Sequence, residues 1–143
     1  MKEEYVTYEQ AVKLKKLGFD WSCYHYYESN KRLVESKIYS QTFKVSEYWC
    51  NFNEDEPNRH RQPFYPHYSA PRLDQVQKWL REKHNLSVEP ICNMVRQWNV
   101  NVCKIDNFGT PVYSKMNFDT YELALSAGID AALELLTDKL NDK

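Results

Sequence analysis

Residues 98–136, WNVNVCKIDNFGTPVYSKMNFDTYELALSAGIDAALELL, decide the fold of this chain. Near the start of this stretch, Trp98, Val100 and Val102 alternate with Asn and Cys residues, which is the pattern of a strand with one buried face. Turn residues follow at 106–109, and a second strand pattern comes after them. We therefore expect a β-hairpin, with Val112, Met116 and Phe118 as candidate core residues of its second strand.

A long helix is predicted after this hairpin. Asp119 is the expected N-cap and Glu122 completes a capping box, while Phe118 and Leu123 occupy the positions of a hydrophobic staple. Gly128 in the middle of the helix costs about 1 kcal/mol relative to Ala, which indicates close contact with a sheet. The apolar face comprises Ala124, Leu125, Gly128, Ile129, Ala132, Leu135 and Leu136.

Near the start of the chain, another helix is predicted between a capping box that begins at Thr7 and a left-handed terminus at Gly18. The aromatic and β-branched segment 22–52 predicts strands, which are joined by a turn at 29–31 where Asn tolerates positive φ. A short helix over 45–50 fits this segment nearly as well, so both alternatives stay open here.

Residues 69–85 predict a further helix. Ser69 or Ala70 opens it, Pro71 suits its first turn, and Asn85 suits a left-handed C-terminal position. Its apolar face comprises Leu73, Val76, Trp79 and Leu80, and its exposed face carries Arg72, Lys78, Arg81 and Lys83.

The segment 53–66, NEDEPNRHRQPFYP, has three prolines and no aliphatic residue, which is the composition of a loop. Loops of this length inside compact domains are mobile or functional, and we expect this one to be mobile. Residues 1–143 are expected to form a single α+β domain, with an antiparallel sheet packed on one face by about three helices. The residues expected to be largely buried are Trp79, Leu80, Trp98, Val100, Val102, Ile129, Leu133 and Leu136.

Several classes of enzyme lack their sequence signatures in this chain. Its three glycines are too few and too scattered for a glycine-rich phosphate loop. Cys23 and His25 have the residue types of a nucleophile and a base, yet no third partner is identified. Neither a Cys-x-x-Cys spacing nor a recognised metal spacing with histidine occurs among Cys23, Cys50, Cys92 and Cys103. We therefore expect no catalytic residue, no metal and no cofactor.

No apolar run approaches the roughly 20 residues of a membrane span, and the start, MKEEYVTYEQ, lacks the apolar core of a secretion signal. The expected location is the cytoplasm, where thiols stay reduced, and no membrane contact is expected. A monomer or a small homo-oligomer is expected, since an uncovered sheet edge allows pairing.

Positive charge concentrates in the segment 59–84. The whole chain has a net charge of -1. This segment, by contrast, contains six Lys and Arg residues and only two acidic residues, Asp74 and Glu82. Nucleobases stack on aromatic rings while arginines neutralise phosphates. The aromatic and basic residues interleaved in this segment therefore suit nucleic-acid binding. A solvated helix surface beside a polar loop explains the same residues. The candidate binding residues are Arg59, Arg61, Tyr65, Tyr68, Arg72, Lys78 and Arg81.

Three groups of residues carry a resemblance to a known family. They are YVTYEQA at 5–11 with LGFD at 17–20, SAP at 69–71 leading into QKWLRE at 77–82, and YE at 121–122 leading into ALSAGIDAALELL at 124–136. On these residues the chain resembles a family of short uncharacterised proteins from gut Bacteroidetes bacteria and their phages or mobile elements. The resemblance covers all three predicted helices and implies no activity.

We favour a non-catalytic protein-interaction or host-modulating factor of phage or mobile-element type, because the Tyr and Trp residues of segment 22–68 suit an interface. The alternative is a nucleic-acid-binding module that uses segment 59–84. Strands followed by a C-terminal helix resemble the double-stranded-RNA-binding and three-strand-plus-helix DNA-binding domains, although the last helix here is acidic. The missing motifs make an enzyme the least favoured class.

Overall fold

The computed structural model describes residues 4–35, 37–39, 45–47, 53, 67–107 and 109–141, and of 37–39 and 45–47 the backbone alone. Its elements are α1 (Tyr8–Lys16), β1 (His25–Tyr27), β2 (Leu33–Glu35), β3 (Lys37–Tyr39), β4 (Val45–Glu47), β5 (Tyr68–Ser69), α2 (Leu73–His84), β6 (Leu86–Cys92), β7 (Trp98–Lys104), β8 (Tyr113–Phe118) and α3 (Tyr121–Asn141). The predicted α+β class, with helices packed on antiparallel sheets, is confirmed.

The chain forms two compact units, Val6–Pro71 and Met1–Tyr5 with Arg72–Lys143. We call them the N-terminal unit and the C-terminal unit. That the whole chain is a single domain stays a prediction. Apart from Asn53, the predicted mobile loop 53–66 lies outside the described residues.

In the N-terminal unit, α1 begins and ends as predicted. The Thr7 hydroxyl accepts from the Gln10 amide at 3.2 Å, and the Gln10 side chain accepts from the Thr7 amide at 2.8 Å, which completes the capping box. Gly18 has a φ of 86°, the left-handed region that glycine favours. The amides of Gly18 and Phe19 donate to carbonyls of the last helical turn in the pattern of a Schellman motif.

Strand β1 lies between β2 and β5, and β3 pairs with β4, all antiparallel. At 45–47, the strand alternative is therefore confirmed and the helix alternative is wrong. The predicted turn between β1 and β2 is also confirmed, but its residue with positive φ is Lys31, at 68°, rather than Asn30. The Asn30 side chain instead accepts from the Arg32 amide at 3.0 Å.

The C-terminal unit is a three-stranded antiparallel sheet, in the order β6-β7-β8, that α2 and α3 cover. Helix α3 packs against all three strands, and α2 packs against β6 and α3. Val88, Val100 and Val102 are fully buried on one face of the sheet, whereas Glu89, the residue after Val88, is exposed. The predicted close approach of Gly128 is confirmed, because a Cβ atom there would lie 2.5 Å from the Val88 side chain.

The second helix begins later than predicted. Ser69 belongs to β5, and α2 begins at Leu73 with Arg72 as its N-cap. A residue paired in a strand cannot open a helix, so Pro71 precedes the cap instead of lying in the first turn. At the other end, the predicted left-handed position of Asn85 is confirmed by its φ of 55°.

Helix α3 is capped by Thr120, not by Asp119 as predicted. The Thr120 hydroxyl accepts from the Leu123 amide at 3.1 Å, and the helix begins at Tyr121. Threonine and aspartate are both good N-caps, so the sequence pattern allows either position. Leu123 is 44% exposed and lies outside the core.

Most of the predicted core is confirmed. Trp98, Phe118 and Leu136 are only half-buried, and Val112 and Met116 are 40% and 63% exposed. Lys115 lies opposite Val100 in the β7–β8 ladder, so the neighbouring Met116 falls on the other face. The residues confirmed as buried are Trp79, Leu80, Val100, Val102, Ile129 and Leu133.

Candidate binding surfaces

The seven predicted binding residues occur in different settings. Arg59, Arg61 and Tyr65 lie outside the described residues. Tyr68 belongs to the N-terminal unit, and Arg72, Lys78 and Arg81 belong to the C-terminal unit.

Tyr68 is engaged by neighbours of its own unit. Its ring packs edge-on against Tyr8, with 5.5 Å between the ring centroids. The Lys15 ammonium lies 5.1 Å from the Tyr68 centroid and also donates to the His67 carbonyl at 3.1 Å. Because a cation already lies over the ring, stacking a nucleobase on this face requires Lys15 to move.

Arg72 is held by two acidic side chains. Its Nε donates to Asp74 Oδ1 at 3.1 Å, and its Nη1 lies 3.4 Å from Glu4 Oε2. The hydrogen bond to Asp74 and the charge of that carboxylate raise the pKa of Arg72. The positive charge of Arg72 is therefore largely offset where it stands.

Lys78 and Arg81 differ in their surroundings on α2. Lys78 Nζ lies 3.9 Å from Glu82 Oε1, one helical turn further on. An exposed pair of this kind contributes only about 0.3–0.5 kcal/mol, and both side chains remain at least half accessible. Arg81 is exposed as well. Helix α2 thus presents a basic surface that its own acids partly neutralise.

The Cys23 thiol, suggested as a nucleophile, has a backbone hydrogen-bond partner. Cys23 is buried, and its thiol donates to the backbone carbonyl of His25, with 3.2 Å between sulfur and oxygen. Within the described ranges, no group of three or more His, Cys, Asp and Glu residues could hold a metal ion.

The most exposed apolar residues of the described chain lie in the turn between β6 and β7. We call residues 93–97 the β6–β7 turn. Met94 is 101% exposed and Val95 is 71% exposed. Asn93 fixes the turn, because its amide donates to the Gln97 carbonyl at 2.8 Å and its side-chain oxygen accepts from the Val95 and Gln97 amides.

Two further exposed apolar side chains flank this turn. Ile91 is 50% exposed and pairs with Asn99 across the β6–β7 ladder. Met116 is 63% exposed. The next residue, Asn117, donates its backbone amide to Asn99 Oδ1 at 3.3 Å. Asn93 Nδ2 donates to the same oxygen at 3.0 Å, so Asn99 joins the turn to β8. We call Ile91, Met94, Val95 and Met116 the apolar tip.

Sequence reasoning missed the apolar tip. Its signal is the pair Met94-Val95 just before the strand pattern that begins at Trp98, where a hairpin normally has turn residues such as Gly, Asn or Asp. Of the Tyr and Trp residues expected to form a contact surface in segment 22–68, the structure describes four side chains. Tyr24 is 41% exposed, and Tyr26, Tyr27 and Tyr68 are half-buried.

Three comparisons with known proteins give no match. No family model matches the chain, and neither a curated protein nor a solved structure does. Among the described helices, none combines the length and the apolar character that crossing a membrane requires.

Proposed function

We propose that this protein is a non-catalytic protein-interaction factor that contacts its partner through the apolar tip. The observation that carries this proposal is the exposure of Met94, at 101%, and Val95, at 71%, in a turn that Asn93 holds by hydrogen bonds. Exposed apolar clusters on small proteins commonly mark interaction sites.

The energetics of the turn support a contact role. Burying a Met or Val side chain in a partner contributes about 1.5–3 kcal/mol. A turn that is already ordered loses little conformational freedom on binding, so more of this gain appears as affinity. Methionine also adapts its shape to irregular pockets, which suits a contact residue.

The biological setting of this proposal comes from the resemblance in the sequence. In that setting, the chain is a factor of a phage or mobile element that acts in the bacterial cytoplasm by binding a host protein. The candidate partner presents an apolar pocket that accepts Met94.

A capture experiment with matched variants tests the proposal. Purified protein is cross-linked in a lysate of a gut Bacteroidetes bacterium, and the captured proteins are quantified. The double variant Met94→Ser with Val95→Thr is compared with Leu123→Ser with Leu140→Thr, which removes exposed apolar side chains from α3 instead. A partner retained by the α3 variant and lost by the turn variant supports the proposal. Equal recovery with both variants contradicts it.

Nucleic-acid binding is the second candidate function. It is favoured by the exposed basic residues of α2, including Arg81 and Lys83. The C-terminal unit also has the element order helix, three strands, helix. Binding to labelled single-stranded and duplex nucleic acids across a salt series tests it. The expected result is micromolar affinity that falls steeply with salt.

A charge-matched pair of triple variants locates such binding. The basic residues changed to Gln are Arg72, Lys78 and Arg81 in one variant and Lys16, Lys104 and Lys139 in the other. Loss with the first variant alone assigns the site to α2. Absence of binding by the wild-type protein at low salt eliminates this candidate.

A further inference from the structure

A shallow groove runs between the start of β8 and the second half of α3, within the C-terminal unit. Its volume is about 200 Å³. Pockets for small ligands usually measure about 300–1,000 Å³, so this groove suits one or two side chains. The lining residues are Val112, Tyr113, Ala131, Glu134, Leu135 and Asp138.

The helix side of the groove is one continuous stripe. Its four α3 residues have the spacing i, i+3, i+4 and i+7, which places them on one face over two turns. Seven residues of helix extend about 10 Å, the length of about three residues of extended chain. The groove therefore matches a short extended segment.

The charges of the groove select the occupant. Glu134 and Asp138 lie one turn apart at its rim, and both are exposed. Within the described part of the chain, no Lys, Arg or His nitrogen forms an ion pair with either carboxylate. Between them, the apolar surface of Leu135 and Val112 can cover the stem of a long basic side chain. This arrangement complements an apolar stem that ends in a cation.

The neighbouring strand offers backbone partners to the same segment. Among the described strands β8 pairs with β7 alone, so its other edge carries no ladder. Residues 114–117 at the centre of β8 are exposed. Such an edge can accept an added strand.

We propose that this groove binds an arginine side chain of an extended segment from a protein partner. The guanidinium hydrogen-bonds to Glu134 and Asp138 while its stem lies on Leu135. Arginine suits the site better than lysine, because its planar fork can serve two carboxylates and its face can stack on Tyr113. The site is distinct from the apolar tip, which shares no residue with it.

The test uses the full chain labelled with ¹⁵N and the tripeptide Ac-Leu-Arg-Leu-NH2. Amide shift changes at Val112, Tyr113 and along the α3 stripe are expected for this peptide. Ac-Leu-Glu-Leu-NH2 should cause none, and Ac-Ser-Arg-Ser-NH2 should bind more weakly. Equal binding of the two arginine peptides contradicts an apolar contact. Shift changes confined to other residues, or no changes at all, overturn the proposal.

Charge-matched variants separate this groove from general attraction to an acidic protein. The double variant Glu134→Gln with Asp138→Asn is expected to lower the affinity for Ac-Leu-Arg-Leu-NH2 about tenfold. Asp106→Asn with Asp119→Asn removes the same charge elsewhere and should leave the affinity unchanged. Equal weakening by both variants contradicts the groove. Neither outcome depends on Met94, so failure here is distinguishable from failure of the apolar tip.

Discussion

Gly128 lies so close to Val88 that a Cβ atom on the glycine would lie 2.5 Å from Val88 Cγ1, and it would lie 2.7 Å from Val100 Cγ2. Gly128→Ala should therefore lower the free energy of unfolding by about 1–3 kcal/mol, because the added methyl overpacks the core. Helix propensity alone predicts a gain of about 1 kcal/mol. Urea unfolding distinguishes the two signs, and greater stability of the alanine variant contradicts the packing.

The neighbouring Ala127 provides a control for this prediction. It is half-buried in the same helix, and Ala127→Gly should cost about 1 kcal/mol through propensity. Gly128→Ala and Ala127→Gly should thus both lower the free energy of unfolding, whereas helix propensity alone predicts changes of opposite sign.

The N-cap of α3 gives a second prediction. Thr120→Ala should cost about 1 kcal/mol, because the Leu123 amide loses its side-chain acceptor. Asp119→Ala should cost only a few tenths of a kcal/mol through the helix dipole. Thermal or urea unfolding of both variants measures the difference. A larger loss at Asp119 would restore the cap that the sequence pattern indicates.

Arg96 adopts a φ of 61° in the β6–β7 turn. Residues other than glycine are strained in this left-handed conformation. Arg96→Gly should therefore raise the free energy of unfolding by about 0.5–1 kcal/mol, since glycine adopts this conformation without a Cβ clash. Arg96→Ala is the control, because alanine retains the strain. Equal stability of the two variants in urea unfolding argues against the left-handed turn.

His84 links stability to pH. Its ring packs on Trp79 with 4.5 Å between the centroids, and burial, with a smaller contribution from Lys139, lowers its pKa below the ordinary 6.5. The unfolded chain then binds this proton more readily than the folded chain. Stability should fall as the pH drops through 6.5 and level off below the folded pKa. The free energy of unfolding, measured between about pH 8 and 5, should lack this pH dependence in His84→Gln. An unchanged slope contradicts the assigned burial.

Local sequence signals predicted much of this fold. The capping box at Thr7, the left-handed Gly18 and the sheet contact of Gly128 depend on neighbours in sequence or on a single missing side chain, so a pattern can report them. The start of α2 and the exposure of Met116 depend on strand pairing, and no local pattern encodes a partner strand.

The candidate sites were less predictable for a related reason. Charge composition indicated α2, but the pairing of Arg72 with Glu4 joins residues far apart in sequence. Met94 and Val95 read as ordinary apolar residues until the turn that exposes them is known. The groove beside α3 exists only once β8 lies along the helix.

The most direct test of the central claim is site-specific photo-crosslinking. A benzophenone amino acid is placed at Met94 in one sample and at the exposed Leu140 of α3 in another. Both samples are irradiated in the bacterial lysate, and the adducts are identified by mass spectrometry. The account predicts a discrete protein adduct from position 94 that is absent from position 140. The same diffuse adducts from both positions, or none from position 94, would contradict a partner bound at the apolar tip.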